Sequence, residues 1–228
     1  MIRRWNDMGR IAMAVAATLS LSACFGAPDK GGGSKTPGGP KGTQSGAPAF
    51  TSAESRQCLA DLQRANVKYT PLANQIFGGG CSAIDSVKLL DIGVPVTGLG
   101  ALTCPLAQNF SAWAQYAVRP AARQILRAEV VKIETFGTYS CRNLYGRSSG
   151  RISQHALSNA IDISAFVLSD GRRVTVLQGW RGDRQEQEFL RALHKSACRR
   201  FGTALGPDYN SAHHDHFHFD MSGNGFCR

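Results

Sequence analysis

The chain has 228 residues, of which 43% are apolar and 18% charged, with 25 Gly, 9 Pro and a formal net charge of +10. That length suits one ordinary domain with appendages, since domains cluster near ~100 to 200 residues, and it argues against two full ones. The charge does not signal nucleic acid, because only 8% of the residues are aromatic and no basic run is present to track a phosphate backbone.

In chain order, residues 1–23 read as a secretory signal, with Arg3, Arg4 and Arg10 ahead of an apolar run from Ile11 to Leu21. The run is too short to span a bilayer, which takes ~20 apolar residues. Leu21-Ser22-Ala23-Cys24 resembles the lipobox of bacterial lipoproteins. That resemblance implies an acylated Cys24, a membrane partner reached through the lipid, and a periplasmic location at either membrane. Residues 24–52 are Gly, Pro, Ser, Thr and Lys with almost no bulky apolar side chain, a composition that cannot offset chain entropy and reads as a disordered tether. Residues 53–228 remain as the folded domain.

Removing Cys24 from the seven cysteines leaves Cys58, Cys81, Cys104, Cys141, Cys198 and Cys227, which in an oxidising compartment imply three disulfides. Neighbours in order are the expectation: Cys58 with Cys81, Cys104 with Cys141, Cys198 with Cys227. A four-cysteine structural zinc is disfavoured, because no pair has the Cys-x-x-Cys spacing.

Within the domain, Ala53 to Asn66 has helical apolar spacing with Ser52 as cap. Val67 to Tyr69 and Ser86 to Ile92 read as strands, and Pro105 to Arg127 as a helix interrupted at Pro120. Val130 to Tyr139 is a strand rich in β-branched residues. Ala160 to Leu168 and Arg172 to Trp180 form a hairpin around Ser169-Asp170-Gly171. A helix from Asp183 to about Arg200 buries Phe189, Leu190, Leu193 and Ala197, and His216 to Met221 forms a last strand. The fold class is α+β, a mainly antiparallel sheet flanked by helices.

The six histidines are clustered. His213, His214, His216 and His218 fall within six residues, and His155 stands seven residues before Asp162. Imidazole and carboxylate suit Zn(II), and a catalytic zinc takes three protein ligands with one open position. His155, Asp162 and one C-terminal histidine make such a set. On an extended strand His216, His218 and Asp220 share one face, while Asp215, Phe217 and Phe219 take the other. His194, on the predicted helix, reads as a surface residue, and His214 has no partner. Trp180 and Tyr139 read as core.

Ser153-x-His155 followed by Ala160-x-Asp162 resembles the Ser-x-His-x-x-Gly-x-Ala-x-Asp signature of zinc peptidases that cut peptidoglycan cross-bridges or D-alanyl-D-alanine termini, with Ser158 in place of the glycine. His213-x-x-His216-x-His218 is similar to the C-terminal pattern of murein endopeptidases in that superfamily, which share a metal-site fold with the Hedgehog N-terminal domain. The ordered cysteines, Cys141-Arg142, and the segment from Phe201-Gly202-Thr203 to Asp220 resemble the bacterial extensin-like C-terminal domain family over about residues 55 to 228.

These resemblances imply one Zn2+ held by His155, Asp162 and His218, a catalytic His216, and an outer, supporting His213. Asp215 is the alternative base, three residues before His218 where relatives carry Glu. Arg142 is a candidate for a substrate carboxylate. The implied activity is a zinc-dependent peptidase acting on peptidoglycan peptides, DD or LD, endopeptidase or carboxypeptidase. The alternative is a non-catalytic zinc-containing domain for wall binding or structure.

Overall fold

A computed structural model describes residues 49–228. The signal segment, Cys24 and residues 24–48 of the predicted tether lie outside that range. Phe50, at the end of the predicted tether, is already buried, and its N–H donates to Asp85 Oδ1 at 2.6 Å. Ser52 caps helix α1 (Ala53–Arg64), its hydroxyl accepting from the Ser55 N–H at 3.0 Å. Cys58 and Leu62, one turn apart, are the residues α1 buries.

Six strands follow: β1 (Lys68–Pro71), β2 (Gln75–Ile76), β3 (Ser82–Ala83), β4 (Ser86–Asp91), β5 (Val96–Thr97) and β6 (Leu102–Thr103). Strands β1, β4 and β6 make a small antiparallel sheet, and β2 pairs with β3.

Helix α2 (residues 104–126) runs on through Pro120, where an interruption was expected. Its backbone stays right-handed helical at Val118, Arg119, Ala121 and Ala122, with π turns over Ala114–Val118 and Ala122–Leu126 on either side of the proline. Phe110, Ala114, Val118, Ala122 and Leu126 are all buried, a strict four-residue repeat. In a pure α-helix such a repeat drifts by about 40° per step. The π turns, bonded i to i+5, underwind the helix and hold the stripe on one face.

The remaining strands are β7 (Val130–Gly137), β8 (Ala160–Leu168), β9 (Arg173–Thr175), β10 (Thr203–Leu205), β11 (Phe217–Asp220) and β12 (Phe226–Cys227), with helix α3 (Arg184–Ala197) after β9. Among the described residues they join β5 in a seven-stranded sheet of order β12-β10-β11-β8-β7-β5, with β9 also on β8. The pairs β10/β12 and β5/β7 are parallel and the others antiparallel. The fold is α+β, with parallel pairing confined to the flanks. The second arm of the predicted hairpin stops at Thr175 rather than Trp180, because the Thr175 hydroxyl accepts from the Gln178 N–H (3.1 Å) and caps a helical turn. Asp183 caps α3 through the N–H groups of Gln185 and Glu186.

Strand β8 carries a bulge: Thr135 of β7 opposes Ile163, while Glu134 opposes Ala165. The extra residue changes the inward phase, so that Ile161 and Ile163 face the core before it and Phe166 and Leu168 after it. Trp113 of α2 is fully buried at the centre. Its ring packs on Phe110, Phe166 and Phe219, and its Nε1–H donates to the Leu193 carbonyl of α3 at 3.2 Å. Gly202 is required by close approach, since a Cβ there would lie 2.0 Å from the Ser222 carbonyl oxygen. Its own carbonyl accepts from Gly225 and Phe226 and so aligns β12 with β10.

The disulfides correct the expected pairing. Only Cys198–Cys227 joins as predicted; the others are Cys58–Cys104 and Cys81–Cys141. Helix α1 lays Cys58 against the start of α2, and Cys81 precedes β3 beside the segment that follows β7, so proximity in space overrides order in sequence. Cys58–Cys104 closes a separation of 46 residues, and cross-links of this kind contribute about 2–4 kcal/mol, largely by restricting the unfolded chain. The variant Cys58→Ser/Cys104→Ser should lose about that much unfolding free energy in a denaturant titration. Non-reducing peptide mapping of the native protein should recover Cys58 with Cys104.

Candidate functional site

Strands β8 and β11 build the floor of the site. They pair antiparallel with His218 directly opposite Asp162, Phe217 opposite Ile163 and Phe219 opposite Ile161. Side chains alternate, so the two Phe and two Ile are buried in the core while Asp162 and His218 share the other face. His155 arrives from the turn Gln154–Leu157, capped by Ser153. Ser158 then turns the chain into β8 with a left-handed φ of 56°, the conformation for which glycine is the low-cost residue. Serine holds it here because the Ser158 N–H donates to the His155 carbonyl and the Ser158 carbonyl accepts from Thr103 (2.8 Å). Its buried hydroxyl finds no hydrogen-bond partner.

Three atoms that could hold a metal ion converge. His155 Nε2 lies 3.1 Å from Asp162 Oδ2 and 3.2 Å from His218 Nδ1, which is 2.9 Å from Asp162 Oδ1. Each imidazole is committed on its far side: His155 Nδ1 donates to the Thr138 carbonyl (3.1 Å) and His218 Nε2 to Asp220 Oδ2 (3.0 Å). The nitrogens facing the cluster therefore carry lone pairs in the neutral rings. Two imidazole nitrogens and a carboxylate at this spacing can be satisfied by a proton on His218 shared with Asp162 or by a metal ion held among the three. The triangle edges of 2.9 to 3.2 Å are close to the ~3.3 Å that separates donors at tetrahedral angles around a metal with bonds of ~2.0 Å. Asp220 accepts from His218 from behind, as a carboxylate does behind a metal-binding histidine in such centres.

Electrostatics follow from the same contacts. Burial would raise the Asp162 carboxyl, but hydrogen bonds from His155 and His218 hold it far below the usual carboxylate range. Burial would lower His218, yet its bonds to Asp162 and Asp220 push it up to about 9. His213 goes down to about 4, through burial and then the neighbouring His218 and His216.

His216 stands beside the cluster with Nε2 3.5 Å from Asp162 Oδ1. Asp215, expected on the far face of an extended strand, is brought back because β11 begins only at Phe217, and its Oδ1 accepts from His216 Nδ1 at 2.8 Å. His213 is an outer residue, with Nδ1 on Asn210 Oδ1 (2.8 Å) and its ring against His216 and His218. His214 is turned outward, with Nδ1 on the Ser211 carbonyl. His194 lies away from the cluster and is not the surface residue expected, since its ring packs between Trp180 and Phe217. Trp180 is core as predicted, whereas Tyr139 lines a recess with Phe77.

The cluster opens into a cleft of about 460 Å³, whose rim includes Arg142, Tyr145, Arg151, Tyr209 and Phe226. Of these only Arg142 was singled out in the sequence. Across His155 and His216 lies a second recess of about 390 Å³, lined by Gln75, Phe77, Phe136, Thr138 and Tyr139. Asp220 and Asn210 also went unassigned, although the two-residue spacing from His218 already placed Asp220 on the same face.

Residues 56–228 match the family described as extensin-like protein C-terminus. The chain belongs to that family. No curated protein and no solved structure matches it. The match covers every member of the cluster in this extensin-like domain as well as all six disulfide cysteines.

Ser158→Gly should relieve both the left-handed strain and the unpaired hydroxyl. The expected gain is about 1 kcal/mol, read as a rise of about 2–4 °C in thermal midpoint. An unchanged or lower midpoint would show that serine suits this turn as well as glycine does.

Proposed function

We propose that this extensin-like domain is a zinc-dependent hydrolase of peptide bonds in peptidoglycan, working in the periplasm from a lipid anchor at Cys24. The observation that carries the reading is the convergence of His155 Nε2, His218 Nδ1 and the Asp162 carboxylate, with both histidines fixed from behind by oxygen acceptors. The donor set of two imidazoles and one carboxylate is the chemistry of a catalytic zinc with an open position. The choice of peptidoglycan rests on the likeness of Ser153 to Asp162 and of His213 to His218 to the zinc peptidase signatures, together with the signal and lipobox pattern.

When bound, zinc supplies a Lewis acid that lowers the pKa of a coordinated water from ~15.7 toward ~7 and polarises a carbonyl. The chain's own residues do the rest. Asp215 accepts from His216 Nδ1–H and so leaves Nε2 as the proton acceptor, aimed at the cluster. His216 takes a proton from the attacking water and passes it to the amine nitrogen as the C–N bond breaks. This favours His216 over Asp215 as base and makes Asp215 its positioning residue. His213, kept neutral by its surroundings, packs against His216 and limits its swing. Arg142 at the cleft rim is placed to meet a substrate carboxylate.

The purified protein should bind about one zinc per chain and release soluble muropeptides with new amine termini from sacculi. Affinity should weaken as pH falls, because protons compete for the histidine nitrogens. His218→Ala should lose the metal. His216→Ala should retain it and lose most turnover, about 10²- to 10⁴-fold for a general base. Equal metal loss in both variants would overturn the role assignment. Metal-loaded protein that binds sacculi but frees no amine would instead be a wall-binding module.

A further inference from the structure

Residues 141–153 form an excursion over one side of the cleft. Cys81–Cys141 pins its start, and a bridge between Asn143 and Ile152 closes it. Leu144 N–H donates to the Arg151 carbonyl (2.9 Å) and Ser153 N–H to the Arg142 carbonyl (3.1 Å). Arg142 and Arg151 are therefore diagonal neighbours on a short two-stranded ladder, and both line the cleft beside His155 and His216. The segment holds a third arginine, Arg147, and no acidic residue.

Elsewhere in the domain Arg64, Arg123, Arg172, Arg173, Arg181 and Arg191 each have a carboxylate partner, while seven other described arginines have none. Among the described residues no carboxylate pairs with Arg142 or Arg151. Two like charges held side by side on a ladder repel, and a disulfide and a backbone bridge keep them there. The opposite recess, reached past Phe136 and Thr138, has no charged lining residue. Phe136 is 62% exposed, and its ring lies 5.7 Å from that of His216.

We propose that Arg142 and Arg151 form a paired anion subsite for a peptide segment carrying two carboxylates, leaving the Phe136 recess to the uncharged part of the same substrate. A guanidinium fork matches one carboxylate through two parallel hydrogen bonds. Diagonal ladder positions are roughly 7–8 Å apart at the backbone, a spacing at which the two forks can each take one carboxylate. This inference rests on the peptide-hydrolase reading, since it deepens the substrate class of that site.

Binding separates the two. The probe is a fluorescent synthetic pentapeptide with a free C-terminal carboxylate and one side-chain carboxylate, compared with its two mono-amides and its diamide on full-length His216→Ala protein. Each amidation should weaken binding about tenfold. Arg142→Gln should abolish the penalty for one amide and Arg151→Gln that for the other, with Lys restoring part of each. Arg147→Gln, on the same loop but outside the cleft lining, should bind all four peptides as the parent does. Indifference to amidation, or an Arg147→Gln loss equal to that of Arg151→Gln, overturns the subsite. If the selective pattern appears but unsubstituted protein cleaves no peptide, the subsite stands and the hydrolase reading falls. If cleavage is normal but indifferent to both carboxylates, the hydrolase stands and the subsite falls.

Discussion

The antiparallel register of β8 against β11 is the constraint on which the rest of the site depends. One pairing sets His218 opposite Asp162 and at the same stroke sets Phe217 and Phe219 opposite Ile163 and Ile161. A slip of β11 by one residue would turn His218 into the core and expose the Phe217 and Phe219 rings. The hydrophobic face, locked onto Trp113 through Phe219, thus fixes the polar face. The bulge in β8 lies beyond this stretch, so the change of phase that seats Phe166 leaves the pairing of His218 with Asp162 untouched.

Much of this was legible in the sequence, and the reasons differ by element. Ser52 announced its helix because an N-cap is a local chemical event, a side-chain oxygen meeting nearby amides. The shared face of His216, His218 and Asp220 followed from strand alternation alone. The disulfide partners of Cys58 and Cys81 were not legible, since they depend on where α1 and β3 settle against distant segments. Pro120 was misread because a missing donor was taken to interrupt the helix, whereas π turns on both sides keep the chain helical. Asp215 was set on the far face by treating residues 215 to 220 as extended, whereas β11 begins only at Phe217. Arg151 and Tyr209 carry no motif, and only the folding of two loops over one cleft brings them to its rim.

The arrangement around the histidines also shows how a cluster of titratable groups is kept in order. Thr138, Asp220, Asp215 and Asn210 each hold one ring nitrogen of His155, His218, His216 and His213 in turn. Four rings that are close enough to touch therefore have one nitrogen each already assigned, and the second nitrogens of His155, His218 and His216 face Asp162. Orientation is set before any ligand arrives, which limits the reorganisation that binding or proton transfer requires. The partners come from different elements, so the geometry of the cluster reports on the integrity of the whole domain.

The last strand bears on how the protein is handled at the bench. Strand β12 is drawn onto β10 by Gly202 and by the Cys198–Cys227 bond, and Phe226 forms part of the cleft wall. The Arg228 carbonyl is itself hydrogen-bonded to the Gly206 N–H. A polyhistidine tag joined after Arg228 would emerge from the rim of a pocket built of imidazoles and could offer them a foreign one. Affinity handles on this domain are better carried elsewhere, or removed before its metal content is assayed.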